Sequence, residues 1–338
     1  MTAHPRPEIL LVSKPVAPPW NDSSKNLVKD LALSGERYRY RVLTPRQGGM
    51  PASRGPTVGQ DPIYRDGGRF APALSQNLRV FRRLLAADDA VLTHFFFAPN
   101  PRAAIAARLA SLWRPRRTVQ TVCSTPATFH RPQRLLFAER IIVLSRHTYQ
   151  RFLDAGVAPH RLVHIPPGIQ LPAVPCPEQR LATRRALAIP REARVAVFPG
   201  DYLFSDAAKT FARALVPFRG QDVFFVFACR VKNRASRAAE ATIDGELRAA
   251  GVRGQALLLD EVPGILELLH ACDACALPSE SLYAKMDVPL VLLEALALGL
   301  PLVVADAPPL DELRTAPRGR VRTTPPQDGP ALAAALEA

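Results

Sequence analysis

Apolar and polar positions along the chain follow two rhythms, and the places where one gives way to the other mark the elements. Short runs rich in Val, Ile, Leu and Phe at Ile9–Ser13, Tyr40–Leu43, Ala90–His94, Thr118–Val122 and Arg140–Leu144 predict strands. Between them, Asn26–Ala32 and Leu78–Ala86 carry apolar residues at helical spacing, the first behind the cap-rich run Asn21-Asp22-Ser23-Ser24. The alternation breaks over Ile165–Pro190, which holds six prolines and one short helical segment. It then resumes, with strands expected at Val195–Phe198, Val223–Ala228, Ala256–Leu259, Ala274–Leu277 and Leu302–Ala305. Strands that alternate with helices argue an α/β fold with parallel sheets covered on both faces. The expected organisation is a domain over 1–165, a Pro-rich linker over 166–190 and a second domain over 191–338. Pro45–Gly68, rich in Gly, Pro, Arg and Asp, reads as a mobile excursion.

One stretch tests this reading. Val288–Ala305 contains a single charged residue, Glu294, and is almost long enough to cross a bilayer. Pro289, Gly299 and Pro301 cut it into a helix and a strand, so it reads as buried core. Composition agrees with two globular domains: 338 residues, 48% apolar and 22% charged, exclude a disordered or collagen-like chain. Five scattered Cys make no disulfide scaffold, and the only early apolar run, Ile9–Val12, is too short for a signal-peptide core. A cytoplasmic location is the expectation, with peripheral attachment to the inner face of the membrane as an option.

Charge changes the picture. Residues 1–150 carry 23 basic and 9 acidic side chains, whereas residues 151–338 carry 21 of each. The whole net charge of +14 therefore lies in the first half, which points to an anionic partner there. Ala103–Arg117 combines Ile105, Leu109, Leu112 and Trp113 with Arg108, Arg114, Arg116 and Arg117, the composition of a helix lying on an anionic membrane. The competing reading is an ordinary helix packed on a sheet with solvated Arg. No zinc-finger spacing or aromatic RNA-binding signature supports nucleic acid as a partner.

The sharpest constellation is Leu277–Ala305. Pro278-Ser279-Glu280 follows a strand, Asp287 is placed to cap a helix with Pro289 in its first turn, and Glu294 falls about two turns in among Leu292, Leu293 and Leu296. A carboxylate in such surroundings needs hydrogen-bond donors, which sugar hydroxyls supply. Cys272-Asp273-Ala274-Cys275 has redox spacing but sits where a helix ends and a strand begins, so neither metal nor redox chemistry is expected.

Pro278-Ser279, Glu294-Ala295-Leu296-Ala297, Gly299 and Pro301 resemble the nucleotide-sugar site of the GT-B glycosyltransferases, specifically glycosyltransferase family 4. Glu139–Ile169, ending in Ile165-Pro166-Pro167-Gly168-Ile169, is similar to the end of that family's first domain. The resemblance implies two facing Rossmann-like parallel-sheet domains and a retaining, metal-independent transfer of sugar from a nucleotide diphosphate sugar, with no further cofactor. It implies a lipid-linked or polysaccharide acceptor held by the basic first domain at an anionic membrane.

By position, Glu294 matches the family's ribose-binding Glu, while the family's first Glu falls at Met286, leaving Lys285 and Asp287 to face sugar and phosphate. Gly200 matches the glycine after the second domain's first strand, and Arg230 and Lys232 are the cations expected near the diphosphate, with solvated loop charges as the alternative. In the first domain, Lys25 at a helix start is an anion candidate and His94 resembles a family position at the cleft. His94 also fits a hydrogen-bonded packing residue. The chain ends within Pro330–Ala338, so the family's last helix, which crosses back onto the first domain, is expected to be missing. The rival function is a non-catalytic sugar-nucleotide or glycan-binding protein on a degenerate GT-B scaffold.

Overall fold

The computed structural model describes residues 6–51, 58–66, 73–98, 100–173, 176–203, 205–231, 233–260, 262, 264–283, 285–315 and 320–338. They form two compact units, Met1–Ile169 with Tyr283–Val288, and Gln170–Leu282 with Pro289–Ala338.

The first unit contains β1 (Glu8–Val12), α1 (Ser23–Ser34), β2 (Arg39–Pro45), β3 (Gly59–Tyr64), α2 (Leu74–Leu85), β4 (Ala90–Phe97), α3 (Pro101–Trp113), β5 (Arg117–Val122), β6 (Arg140–Val143), α4 (Arg146–Asp154) and β7 (Leu162–His164). Its seven strands run parallel in the order β3-β2-β1-β4-β5-β6-β7. Both faces of β1 are buried, as a central parallel strand requires. Leu10 and Val12 pack with Val80, Leu84, Ala107 and Ala110 of α2 and α3, while Ile9 and Leu11 pack with Val28 and Ala32 of α1.

Two expectations are corrected here. The stretch Pro45–Gly68 contains the edge strand β3, because Arg41 binds Glu8 (2.7 Å) and Asp61 (3.2 Å) and so ties β1, β2 and β3 side by side. Pro62 is tolerated because β3 has a neighbour on one side only. The strand expected to close at His94 continues to Phe97, with Phe95, Phe96 and Phe97 registered against Gln120, Thr121 and Val122.

Helix α3 is inside out relative to an ordinary packed helix. Its small face, Ala104, Ala107 and Ala110, is buried, and Ile105, Leu109, Leu112 and Trp113 are exposed. Three of the arginines expected to be solvated instead bind their own unit: Arg108 donates to Leu136 O, Arg114 to Leu85 O, and Arg116 pairs with Asp88.

The second unit contains α5 (Pro177–Ala186), β8 (Arg194–Phe198), α6 (Ala207–Leu215), β9 (Val223–Ala228), α7 (Arg234–Ala249), β10 (Ala256–Leu259), α8 (Ile265–Ala271), β11 (Ala274–Leu277), α9 (Leu290–Ala297), β12 (Leu302–Ala305), β13 (Val321–Thr324) and α10 (Gly329–Glu337). Its parallel order is β10-β9-β8-β11-β12-β13. The core is aromatic: Phe198, Phe211, Phe225 and Phe227 interlock with ring centroids 4.4–6.4 Å apart. The helix predicted within the linker, α5, carries buried Arg184, which donates to the carbonyls of Ala271, Arg191 and Ala193 and pairs with Asp273. The apolar run at 288–305 resolves into α9 and β12, with Gly299 at φ +82 ending the helix. Helix α10 docks on α6 of its own unit, where a Cβ on Gly329 would lie 2.8 Å from the Arg213 Cβ. Among the described residues no helix is long and apolar enough to cross a membrane.

Candidate functional site

In open parallel sheets ligands bind beyond the carboxyl ends of the strands where the strand order reverses. Each unit has one such point, between β1 and β4 in the first and between β8 and β11 in the second.

At the second unit's switch point, β8 ends in Phe198-Pro199-Gly200. Position 200 must be glycine, since a Cβ there would fall on the Phe198 ring, which the aromatic core holds in place. The chain continues through Tyr202 and Ser205 into α6. There the Asp206 backbone N–H donates to Glu280 Oε1 at 2.9 Å and the Ser205 and Ser279 hydroxyls meet at 3.3 Å. Lys209, one turn into α6, pairs with Asp206 at 2.9 Å. Tyr202, Ser205, Asp206, Lys209 and Glu280 line a cavity of about 480 Å³ together with Ala239, Thr242 and Ile243 of α7. Two of the residues around it each carry a buried side-chain atom without a hydrogen-bond partner, Tyr202 Oη and Glu280 Oε2. Burial, reinforced by Cys229, Glu240 and Asp260, pushes the Tyr202 phenol upward, so it stays protonated and available as a donor.

Arg230 follows β9 at the carboxyl end of the same sheet, half-buried. Glu294 is half-buried on α9, in the fifth helical position and not two turns in, because the helix starts at Leu290. Lys232 lies outside the described residues. Tyr202, Lys209 and Glu280 were not singled out by sequence reasoning as ligand-binding residues; the Pro278-Ser279-Glu280 sequence at a strand end was the available signal for the carboxylate.

The first unit's switch point is built differently. Asp22 caps α1, accepting from Ser24 N at 2.9 Å, and pairs with Lys14 at 3.1 Å. Lys25, 5% exposed, donates through Nζ to Ala17 O at 3.1 Å, so its ammonium holds the preceding loop. Asp287 does not cap α9, whose N-cap is Pro289 without a side-chain bond. Its carboxylate is instead almost wholly buried, accepting from Thr125 Oγ1 at 2.6 Å and from Ser145 Oγ at 2.8 Å. The Thr125 N–H donates to Lys285 O at 3.1 Å, and Tyr283 bridges to Thr125 in parallel. Burial lowers the Lys285 amine to about 8, with Asp22 pulling the other way. His94 lies within β4, its Nε2 2.7 Å from Thr121 Oγ1 and its ring 4.1 Å from Phe96. Burial lowers it to about 3, so the imidazole is neutral at physiological pH; the residue is half-buried and its ring nitrogen is held by the Thr121 hydroxyl.

The predicted site residues thus divide. Lys25, His94, Lys285 and Asp287 belong to the first unit, and Gly200, Arg230 and Glu294 to the second. Cys272 and Cys275 are buried free thiols, the former pushed up to about 12, which makes both poor nucleophiles.

Two family models match the chain: Glycosyl transferases group 1 over residues 193–338 and Glycosyltransferase Family 4 over residues 25–171. No curated protein matches the sequence. The fold matches Anabaena HepE, solved with UDP and glucose, at 17% identity over 97% of this chain and 88% of that one, TM-score 0.72. It also matches sucrose-phosphate synthase from Thermosynechococcus elongatus (16% identity, 98% and 89% covered, TM-score 0.72). WaaG, a glycosyltransferase involved in lipopolysaccharide biosynthesis, matches at 17% identity over 98% and 90% of the two chains, TM-score 0.62. With one model over residues 25–171, another over residues 193–338 and both sheets in Rossmann-like order, the chain belongs to the group 1, family 4-like glycosyltransferases of the GT-B fold.

Proposed function

We propose that this enzyme moves a hexose from a uridine diphosphate sugar to a lipid-linked or polysaccharide acceptor at an anionic membrane surface, with retention of configuration. The observation that carries the donor reading is the second unit's cavity, where Tyr202 Oη and Glu280 Oε2 lack partners that the hydroxyls of a sugar or ribose would supply. The uridine choice leans on HepE, whose structure holds UDP and glucose. In the reaction the acceptor oxygen bonds to the anomeric carbon as the bond from that carbon to the β-phosphate oxygen breaks. The acceptor proton passes to the departing diphosphate, and the products are the glycosylated acceptor and the nucleoside diphosphate. Arg230 and Lys209 are the cations assigned to the charge that grows on the leaving group, and the step is proposed to need no metal. Glu294 is assigned to the ribose.

The membrane reading rests on α2 and α3. Six of the thirteen large apolar side chains exposed among the described residues sit on these neighbouring helices: Leu74, Leu78, Ile105, Leu109, Leu112 and Trp113. Residues 73–117 carry eight Arg and two Asp, a sign that suits acidic lipid headgroups.

Calorimetric titration of UDP, GDP and ADP into the wild type and Glu294→Ala tests the donor site. UDP heat that Glu294→Ala removes is the expected result; equal binding by both proteins, or none by either, would overturn the assignment. Flotation with phosphatidylglycerol vesicles tests the surface, with Leu112→Gln/Trp113→Gln expected to lose binding while UDP binding stays intact.

A further inference from the structure

The second unit's cavity is charged in a way that bears on which sugar it accepts. Three ionisable residues stand among those around it, Asp206, Lys209 and Glu280. Lys209 is spent on Asp206, its Nζ 2.9 Å from one carboxylate oxygen, while the other oxygen accepts from Gln327 Nε2 at 3.4 Å. Among the described residues no cation pairs with Glu280: its Oε1 accepts from the Asp206 backbone N–H at 2.9 Å, and its Oε2 is buried without a partner. The three groups together therefore carry one net negative charge. The first turns of α7 repeat that balance, with Arg237 shared between Glu240 at 2.5 Å and Asp260 at 2.6 Å. The remaining polar walls are neutral hydroxyls, on Ser205, Thr242 and Tyr202, the last 5% exposed and with its Oη unpartnered.

We propose that this cavity selects the donor sugar by charge, taking neutral hexoses and refusing uronic acids, with Glu280 as the specificity-determining residue. The proposal rests on the reading of this cavity as the donor site. An ionised carboxylate only accepts hydrogen bonds. A hexose hydroxyl donates, and so supplies what Glu280 lacks. A uronate offers oxygens alone, meets like charge, and finds the cation among these residues already paired with Asp206. The discrimination comes from the repulsive group as much as from the attractive one.

Calorimetric titration with UDP-glucose and UDP-glucuronate, which differ only in a hydroxymethyl group against a carboxylate on the sugar, reads the discrimination as a ratio of affinities. The wild type is expected to bind UDP-glucose about tenfold more tightly, or better. Glu280→Gln keeps an oxygen for the Asp206 N–H and removes the charge, so the ratio is expected to fall to within about threefold. Because both affinities are taken on one protein, a general loss of UDP binding in the variant cancels. Asp206→Asn leaves Glu280 in place and releases Lys209 to the uronate, so it is expected to lower the ratio as well; it decides the matter if Glu280→Gln binds neither compound. Equal affinities in the wild type, or a ratio unchanged by Glu280→Gln, overturn the proposal and leave the donor reading standing. No binding of either sugar nucleotide by the wild type overturns the donor reading and the proposal with it.

Discussion

The two switch points share a topology and differ in what they leave unsatisfied. In the first unit the charged groups and the imidazole described above are engaged by the protein, Asp287 by two hydroxyls, Lys25 by a carbonyl, Lys14 by Asp22 and His94 by Thr121, although Thr148 Oγ1 in α4 is buried without a partner. In the second, Tyr202 Oη and Glu280 Oε2 are held out of water around a cavity and given nothing. A buried group without a partner destabilises the empty protein, so its persistence argues for a ligand that completes it. The contrast is one of degree: the second unit's unpartnered atoms belong to two residues around one cavity, whereas the first unit's carboxylate and ammonium groups are taken up by its own chain.

The largest effect that would break this contrast is on stability. Asp287→Ala leaves the Thr125 and Ser145 hydroxyls without their acceptor in a buried site, at about 1–3 kcal/mol each, so a loss of roughly 2–5 kcal/mol is expected in urea denaturation. Glu280→Gln, which keeps an oxygen for the Asp206 N–H, is expected to change stability by under about 1 kcal/mol while weakening UDP binding. Equal losses in the two variants would mean that the two ends are held alike.

How far this contrast was legible in the sequence depends on range. Central strands such as Val223–Ala228 declare themselves because both faces are buried and nearly every residue is apolar. The edge strands Gly59–Tyr64, Leu162–His164 and Val321–Thr324 were missed, since an edge strand is short, half-solvated and free to carry Pro or Arg. Glu294 and Gly200 sit in local motifs, so their positions could be read directly. Asp287 could not: its partners Thr125 and Ser145 lie 162 and 142 residues away, and a local reading could only offer it as a helix cap. For helix α3 the local pattern left two readings open. Its apolar residues Ile105, Leu109, Leu112 and Trp113 fit a packed helix with solvated Arg, but they are exposed, the small Ala face does the packing, and Arg108, Arg114 and Arg116 reach back to neighbouring carbonyls and to Asp88.

An intermediate effect concerns pH. His94 is held at about 3 when folded and returns to about 6.5 when unfolded. Its contribution is fully present above pH 6.5. As pH falls below that, the unfolded chain binds a proton the native state refuses, and stability declines by up to roughly 1.4 kcal/mol per pH unit until the folded value is reached. His94→Gln, which keeps a partner for Thr121, is expected to be flatter below pH 6.5 by about 2 kcal/mol at pH 5, and parallel to the wild type above pH 7.5. Denaturation curves across that range check it. Identical slopes would show that water reaches the imidazole and that the first unit's end is less sealed than its hydrogen bonds imply.

The smallest effect sharpens the comparison most, because it removes one hydroxyl from each end. Thr125→Val deletes a donor that Asp287 uses, so a buried carboxylate oxygen loses its bond and stability is expected to fall by about 1–3 kcal/mol. Tyr202→Phe deletes a hydroxyl that has no protein partner, so the desolvation penalty disappears and stability is expected to stay level or rise by up to about 1 kcal/mol. Ligand binding should separate them in the opposite sense, with UDP-glucose affinity falling in Tyr202→Phe and its thermal stabilisation shrinking accordingly. A hydroxyl that costs stability in the empty protein and returns it in the complex is one whose partner is the ligand. If Tyr202→Phe instead destabilised the empty protein as Thr125→Val does, a water would be satisfying Tyr202, and the cavity would be a hydrated part of the fold with no claim on the donor.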